Sequence, residues 1–205
     1  MDKEKYIEDL VEIKDIMHRS SRFISLSGWA GVAAGIFALG GVYLAYQTVY
    51  AGQDYLGYRK AAINADSLMT LLLIAVATIV LTVVTGIYFT TRASKKRNEP
   101  VWDHQTKRLI INLAIPLIAG GLACLMLVLR GYVGIVAPLT LIFYGLALVN
   151  ASKYTLNEIR SLGLVEIVLG LIAMQFIGYG LLFWAVGFGL LHIIYGVMMR
   201  IRYKS

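Results

Sequence analysis

Long runs of apolar residues recur along the chain and constrain its fold more than any other feature of the sequence. A helix of about 20 such residues crosses the roughly 30 Å of hydrocarbon in a bilayer. Six runs of this kind lie at residues 24–46, 68–90, 109–129, 132–150, 162–178 and 181–199. With 59% hydrophobic and 15% charged residues, a 205-residue chain lacks the polar surface of a soluble domain. We therefore predict an all-α, polytopic membrane bundle of six transmembrane helices.

The basic residues predict how this bundle is oriented. Of the 19 Lys and Arg residues, 16 fall in the segments 1–23, 91–108, 151–161 and 200–205. The positive-inside rule assigns such segments to the cytoplasm, so we expect both termini there, with a six-span domain at 24–199 and a cytoplasmic tail at 200–205. We interpret the net charge of +7 as a topology signal that also favours anionic lipid. No nucleic-acid partner is expected.

A seam of apolar and then small residues, at heptad-like spacing, runs from the N-terminal segment into the first span. Its members are Tyr6, Leu10, Ile13 and Met17, followed by Gly31 and Gly35. The spacing predicts that residues 1–23 form an amphipathic cytoplasmic helix, and the two glycines form a GxxxG motif. One interpretation is a homodimer through this seam. The alternative is that the stripe packs on another helix of the same chain or lies on the membrane surface.

Similar short motifs suggest an internal repeat of helical hairpins. Spans one, three and five carry "GIFALGG" at Gly35, "GLACLML" at Gly121 and "GLIAMQF" at Gly170. Comparable motifs in the even-numbered spans give a 2+2+2 arrangement of three hairpins. Chance similarity between apolar helices is the alternative explanation.

Two residues that can carry charge, Glu166 and His192, interrupt the apolar stretch from Gly163 to Gly196. If the chain turns near Tyr179, they lie at nearly the same depth on neighbouring antiparallel helices. An ionised Glu within a span costs about 2.5–3.5 kcal/mol or more, so it must be neutral, paired or reached by water. The pair therefore predicts either a proton-coupled or ligand-binding site, or a structural interhelical hydrogen bond.

Other polar residues and two prolines lie within the predicted spans. Asn112 and Asn150 come at matching depth and predict an interhelical amide contact, while Gln175 lies near the external end of its span. Pro116 and Pro138 each remove a backbone donor, so we expect breaks or kinks in spans three and four. Transporters place binding sites at such breaks, although simple kinks explain them as well.

Signatures of catalysis, cofactors and metal sites are mostly absent from the sequence. It contains no Walker A, GxSxG, HExxH or CxxC motif. Glu166 and His192 alone supply two metal ligands, fewer than a metal site needs. We expect no cofactor, no metal and no catalytic residue, and the sequence does not favour an enzyme.

The segment "RSSRFISLSG", Arg19 to Gly28, resembles the opening of an uncharacterised family of small bacterial multi-span membrane proteins. The wider likeness, Met17 to Leu39, covers about a tenth of the chain. It implies a multi-pass protein of the bacterial inner membrane and brings no activity or ligand with it.

Two functional hypotheses follow from the sequence. The first is small-molecule binding or transport at a polar site within the bundle, with Glu166 and His192 at its centre and Asn112, Asn150 and Gln175 as further candidate ligand-binding residues. The second is a membrane-embedded sensor or regulatory partner that acts through the N-terminal helix and the basic 91–108 loop.

Overall fold

The computed structural model describes residues 27–50, 64–96 and 101–203, together with positions 6, 7, 9, 10 and 13 near the N-terminus. The described parts are almost entirely helical and contain no strand. The long helices are α1 (Gly28–Tyr50), α2 (Ala65–Lys96), α3 (His104–Leu129), α4 (Val136–Ala151), α5 (Asn157–Gln175) and α6. Helix α6 has three consecutive segments, α-helical Gly180–Trp184, π-helical Ala185–Leu191 and α-helical His192–Tyr203.

Five helical stretches in the described part are long and apolar enough to cross a membrane, which indicates a multi-pass membrane protein. They correspond to α1, α2, α3, α4 with its flanking turns, and α6. Helix α5 is the exception, since its 19 residues include Glu158, Arg160 and Glu166. The all-α bundle predicted from the sequence is thus confirmed, whereas the sixth span remains a prediction.

Several helix boundaries differ from the predicted spans. Helix α2 continues to Lys96, and α5 begins at Asn157 rather than near residue 162. A span predicted from hydropathy ends where charged residues begin. The helix itself continues through these residues, because their side chains reach the polar interface. Helix α3 starts at its N-cap Asp103, whose carboxylate accepts a hydrogen bond from the backbone N–H of Thr106 at 2.6 Å.

Helices α4 and α5 approach each other until their backbones touch. A Cβ atom added to Gly145 would lie 2.5 Å from the carbonyl oxygen of Gly163, and one added to Gly163 would lie 2.7 Å from that of Gly145. Seven residues further along α5, a Cβ on Gly170 would lie 2.9 Å from the carbonyl oxygen of Pro138. Between helices in lipid, close packing of this kind replaces the hydrophobic effect as the attractive force.

Helices α1 and α6 form a second pair of this type. A Cβ on Gly28 would lie 2.5 Å from the carbonyl oxygen of Gly196, and one on Gly35 would lie 2.6 Å from that of Gly189. A Cβ on Gly31 would approach the Cα of Gly196 to 3.1 Å. The glycine part of the predicted seam thus packs on a helix of the same chain, which is the intramolecular alternative stated above.

The apolar part of that seam lies in the N-terminal segment. Tyr6, Leu10 and Ile13 are helical and exposed, and Met17 lies outside the described residues. The homodimer stays a prediction.

Helix α6 occupies the middle of the bundle. It packs against α1 on one side and against α4 and α5 on the other, while α2 lies on α1 and α3 lies on α4. The two helices of each predicted hairpin, α1 with α2 and α3 with α4, are therefore in contact. The main neighbour of α5 is α4 rather than α6, so the third predicted hairpin is the loosest of the three.

Gly145→Ala should destabilise the fold by about 1–3 kcal/mol, because its new Cβ meets a backbone carbonyl that cannot rotate away. Unfolding of the detergent-solubilised protein, by heat or by added denaturing detergent, measures the change. Gly86→Ala on α2 is the matched control, since nothing lies within 4 Å of its Cβ position. Equal stability of the two variants would contradict backbone contact between α4 and α5.

Candidate functional site

Glu166 lies halfway along α5 and is completely buried, with 0% of its surface exposed. Nine residues of the helix precede it and nine follow it. Among the described residues, neither carboxylate oxygen has a hydrogen-bond partner. A Cβ added to Gly187 would lie 2.5 Å from Glu166 Oε2, so the carboxyl group rests directly on the backbone of α6. A buried acceptor without a donor is costly, and among the described residues Glu166 is the ionisable side chain in this position.

His192 on α6 faces Glu166, and both of its ring nitrogens have other partners. Nδ1 lies 3.0 Å from the carbonyl oxygen of Gly187, and Nε2 lies 2.6 Å from the hydroxyl of Tyr144. A carbonyl oxygen only accepts, so Nδ1 carries the proton and donates it. In neutral imidazole, Nε2 then accepts from Tyr144.

The expectation that Glu166 and His192 lie at the same depth is confirmed, because Nδ1 is 3.7 Å from Glu166 Oε1. That distance allows electrostatic attraction but is too long for a hydrogen bond. The interhelical hydrogen bond between the two side chains, one of the alternatives from the sequence, is therefore not formed. Because α5 begins at Asn157 rather than near residue 162, Glu166 lies at the middle of its helix.

The π-helical segment of α6 shapes this site. Within Ala185–Leu191, Gly187 meets Glu166 and Leu141 on one side, and Gly189 meets Leu39 of α1 on the other. A side chain at Gly187 would occupy the space of the carboxyl group. π-helical turns are rare and are found frequently at functional sites.

Aromatic side chains line the same level of the bundle. Trp184, Phe188 and His192 follow one another at intervals of four on α6 and face Thr140 and Tyr144 of α4. The indole Nε1 of Trp184 donates to Thr140 Oγ1 at 2.8 Å. The Phe188 ring lies 5.0 Å from that of Tyr144 and 5.3 Å from that of Trp184, centroid to centroid. We refer to Tyr144, Trp184 and Phe188 as the aromatic wall.

The chemistry of this arrangement is that of a proton or cation site. A carboxyl group, an imidazole and a phenol meet where the described residues supply no Lys or Arg. Within the described ranges, no three His, Cys, Asp or Glu side chains come together as metal ligands. Glu166 must therefore hold a proton, share one with His192, or bind a species that brings positive charge or hydrogen-bond donors.

Asn112 and Asn150 meet, but not through their two amides. Asn150 Nδ2 donates to the backbone carbonyl of Asn112 at 2.9 Å, whereas Asn112 Nδ2 donates to the carbonyl of Arg108 in its own helix at 2.8 Å. Pro116 is four residues after Asn112 and has no N–H, so this carbonyl lacks its helical donor. Asn150 supplies the missing donor, which gives the Asn–Asn contact a structural role at the proline.

The remaining sequence candidates lie apart from Glu166. Pro138 does not break a helix, because α4 begins at Val136 and places it in the first turn, where an N–H is not needed. Gln175 is the exposed last residue of α5, nine positions beyond Glu166. The structure therefore brings together Glu166 and His192 and separates both from Gln175 and from the Asn112–Asn150 contact.

Sequence reasoning missed Tyr144, Gly187 and the aromatic wall. Two signals point to them in retrospect. One is the spacing of four between Thr140 and Tyr144, matched by Trp184, Phe188 and His192. The other is the order of the contacting pairs, Thr140 with Trp184 and then Tyr144 with His192, because partners that advance together along the chain indicate parallel helices. The π-helical segment has no comparable signature in the sequence.

Comparison with protein families, with curated proteins and with solved structures finds no match to this chain. The resemblance of segment 19–28 to a bacterial membrane-protein family stays a prediction. The function has to be inferred from the residues described above.

Asn150→Ala should lower the free energy of unfolding by about 0.5–1.5 kcal/mol, because it removes the donor to the Asn112 carbonyl. The loss should shrink in a Pro116→Ala background, where residue 116 regains an N–H for that carbonyl. A double-mutant cycle on the solubilised protein measures this coupling. Asn112→Ala is the control, since it leaves the backbone carbonyl in place. An equal loss in both backgrounds would disprove the compensation.

Proposed function

We propose that this protein is a six-span protein of the bacterial inner membrane that binds a small molecule at Glu166 and His192, and transports it. One observation carries the proposal. Glu166 is fully buried in the middle of the bundle, and neither of its oxygens has a hydrogen-bond partner among the described residues. A glutamate with a purely structural role at this depth would accept a hydrogen bond from a neighbouring donor. A ligand best explains why the carboxyl oxygens have none.

The proposal requires α5 to cross the membrane, and its dimensions support this. Nineteen residues at 1.5 Å each give a helix of about 28 Å, close to the hydrocarbon thickness. The charged residues Glu158 and Arg160 lie in its first turn, where side chains reach the interface. Glu158 Oε1 is 2.8 Å from Arg202 Nη1 at the end of α6, so its charge is compensated.

The topology can be tested with two cysteines at opposite ends of α5, in a Cys124→Ala background. Gly178→Cys precedes α6 and Lys153→Cys precedes α5, and both positions are exposed. In bacterial spheroplasts, a membrane-impermeant maleimide should label Gly178→Cys at once and Lys153→Cys only after permeabilisation. Labelling of both cysteines from the same side would show that α5 does not span the membrane.

Binding is tested by native mass spectrometry of the protein extracted mildly from its own membrane. We expect a retained small-molecule mass that is lost in Glu166→Gln, because the amide removes the negative charge while keeping the shape. Glu158→Gln is the matched control, the same change on the same helix at an end paired with Arg202. An adduct that persists in Glu166→Gln at full occupancy would remove Glu166 from the site.

One observation favours the regulatory alternative. The apolar residues described near the N-terminus are helical and uncovered, with Tyr6 65% and Leu10 64% exposed. A cytoplasmic partner would cover such a face. If native mass spectrometry finds no small molecule on the wild-type protein, the regulatory function becomes the favoured one.

A further inference from the structure

We propose that the ligand of this site is a small organic cation and that it competes with a proton for the Glu166–His192 pair. The inference rests on the proposed function and adds the chemical class of the substrate and its coupling to protons. Each monovalent cation that binds displaces one proton from the pair.

The first step concerns the charge of the empty site. The carboxyl group lies against the Gly187 backbone, and the described residues offer no donor to either oxygen. The pair therefore stays neutral in one of two forms, protonated Glu166 beside neutral His192, or carboxylate beside imidazolium. Both forms contain the same single exchangeable proton, so the conclusion does not depend on where that proton sits.

The second step concerns which other groups could alter this balance. From α6, the titratable group facing Glu166 is His192, and from α4 it is Tyr144, which is held by its bond to His192 Nε2. Helix α1 packs on the far side of the π-helical segment through Gly35 and Leu39, which do not titrate. Among the described residues, the site thus has no other charge to compensate an incoming ion.

The third step concerns the class of the ligand. Among the described residues, an anion would find no Lys or Arg beside the pair, and a metal ion would find too few ligands. An organic ammonium matches what is present, a carboxylate for its charge and aromatic faces for its hydrocarbon shell. The aromatic wall places such rings beside the pair, since the rings of Tyr144 and Phe188 lie 5.4 Å and 6.1 Å from the His192 ring, centroid to centroid.

The fourth step is electroneutrality during exchange. A cation that enters while the pair keeps its proton would leave a net positive charge in an apolar environment, at a large cost. If the proton leaves as the cation binds, the site is neutral before and after. Cation affinity should therefore rise with pH, by up to about tenfold per pH unit while the free pair holds its proton.

Quaternary organic cations test this proposal, because they have no proton of their own to release. Tetramethylammonium, benzyltrimethylammonium and tetraphenylphosphonium (as a larger cation) are titrated into purified protein in weakly buffered solution with a pH indicator dye, and binding is measured in parallel by calorimetry. We expect at least one of them to bind with release of about one proton per cation. Glu166→Gln should abolish both binding and release, and Glu158→Gln should preserve both.

Should Glu166→Gln fail to fold, Glu166→Asp provides the second variant. It keeps a titratable carboxyl group, so proton release per bound cation should persist with altered affinity. Binding without proton release, pH-independent binding, or proton release that survives in Glu166→Gln would each overturn the exchange. If none of the three cations binds, the cation class is wrong. A Glu166-dependent adduct in native mass spectrometry would then still support the proposed function, so the two failures are distinguishable.

Discussion

The structure depends on backbone-to-backbone contact at glycine. In a bilayer, apolar side chains gain little by leaving lipid for another helix, so association relies on close packing and on polar contacts. Two helix pairs use the same device, α4 with α5 through Gly145 and Gly163, and α1 with α6 through Gly28 and Gly196. Helix α6 is positioned by these contacts, and with it His192 and the Gly187 backbone that covers Glu166. The Glu166 carboxyl group lies against this backbone with no hydrogen-bond partner among the described residues.

The sequence predicted the architecture well because hydropathy and length determine it. Runs of about 20 apolar residues cannot form anything but helices in a bilayer, whose backbone groups must be satisfied internally. The ends of the helices were predicted less well. Charged residues such as Glu158 and Arg92 lower hydropathy without ending a helix, so α5 and α2 extend beyond the predicted spans.

The site was predicted in part. Glu166 and His192 were identifiable because ionisable residues in a span are costly. The position of the turn near Tyr179 gave their common depth. Their mutual orientation depends on helix rotation, which requires knowledge of the glycine contacts. Tyr144 could not be selected from the 13 tyrosines of the chain without knowing that α4 lies beside α6. Pro116 and Asn150 were both noticed, but their connection through one carbonyl oxygen appears only in three dimensions.

The π-helical segment has a consequence for everything that follows it in the chain. Such a segment accommodates an additional residue within a helix, and returning it to α-helix would turn the C-terminal half of α6 by roughly 100° about its axis. That half carries His192, Gly196 at the α1 contact, Arg200 over the Trp29 ring and Arg202 beside Glu158. A single change of register would thus break all four contacts together. The buried pair and the end of the bundle that carries Arg202 are therefore mechanically joined through one helix.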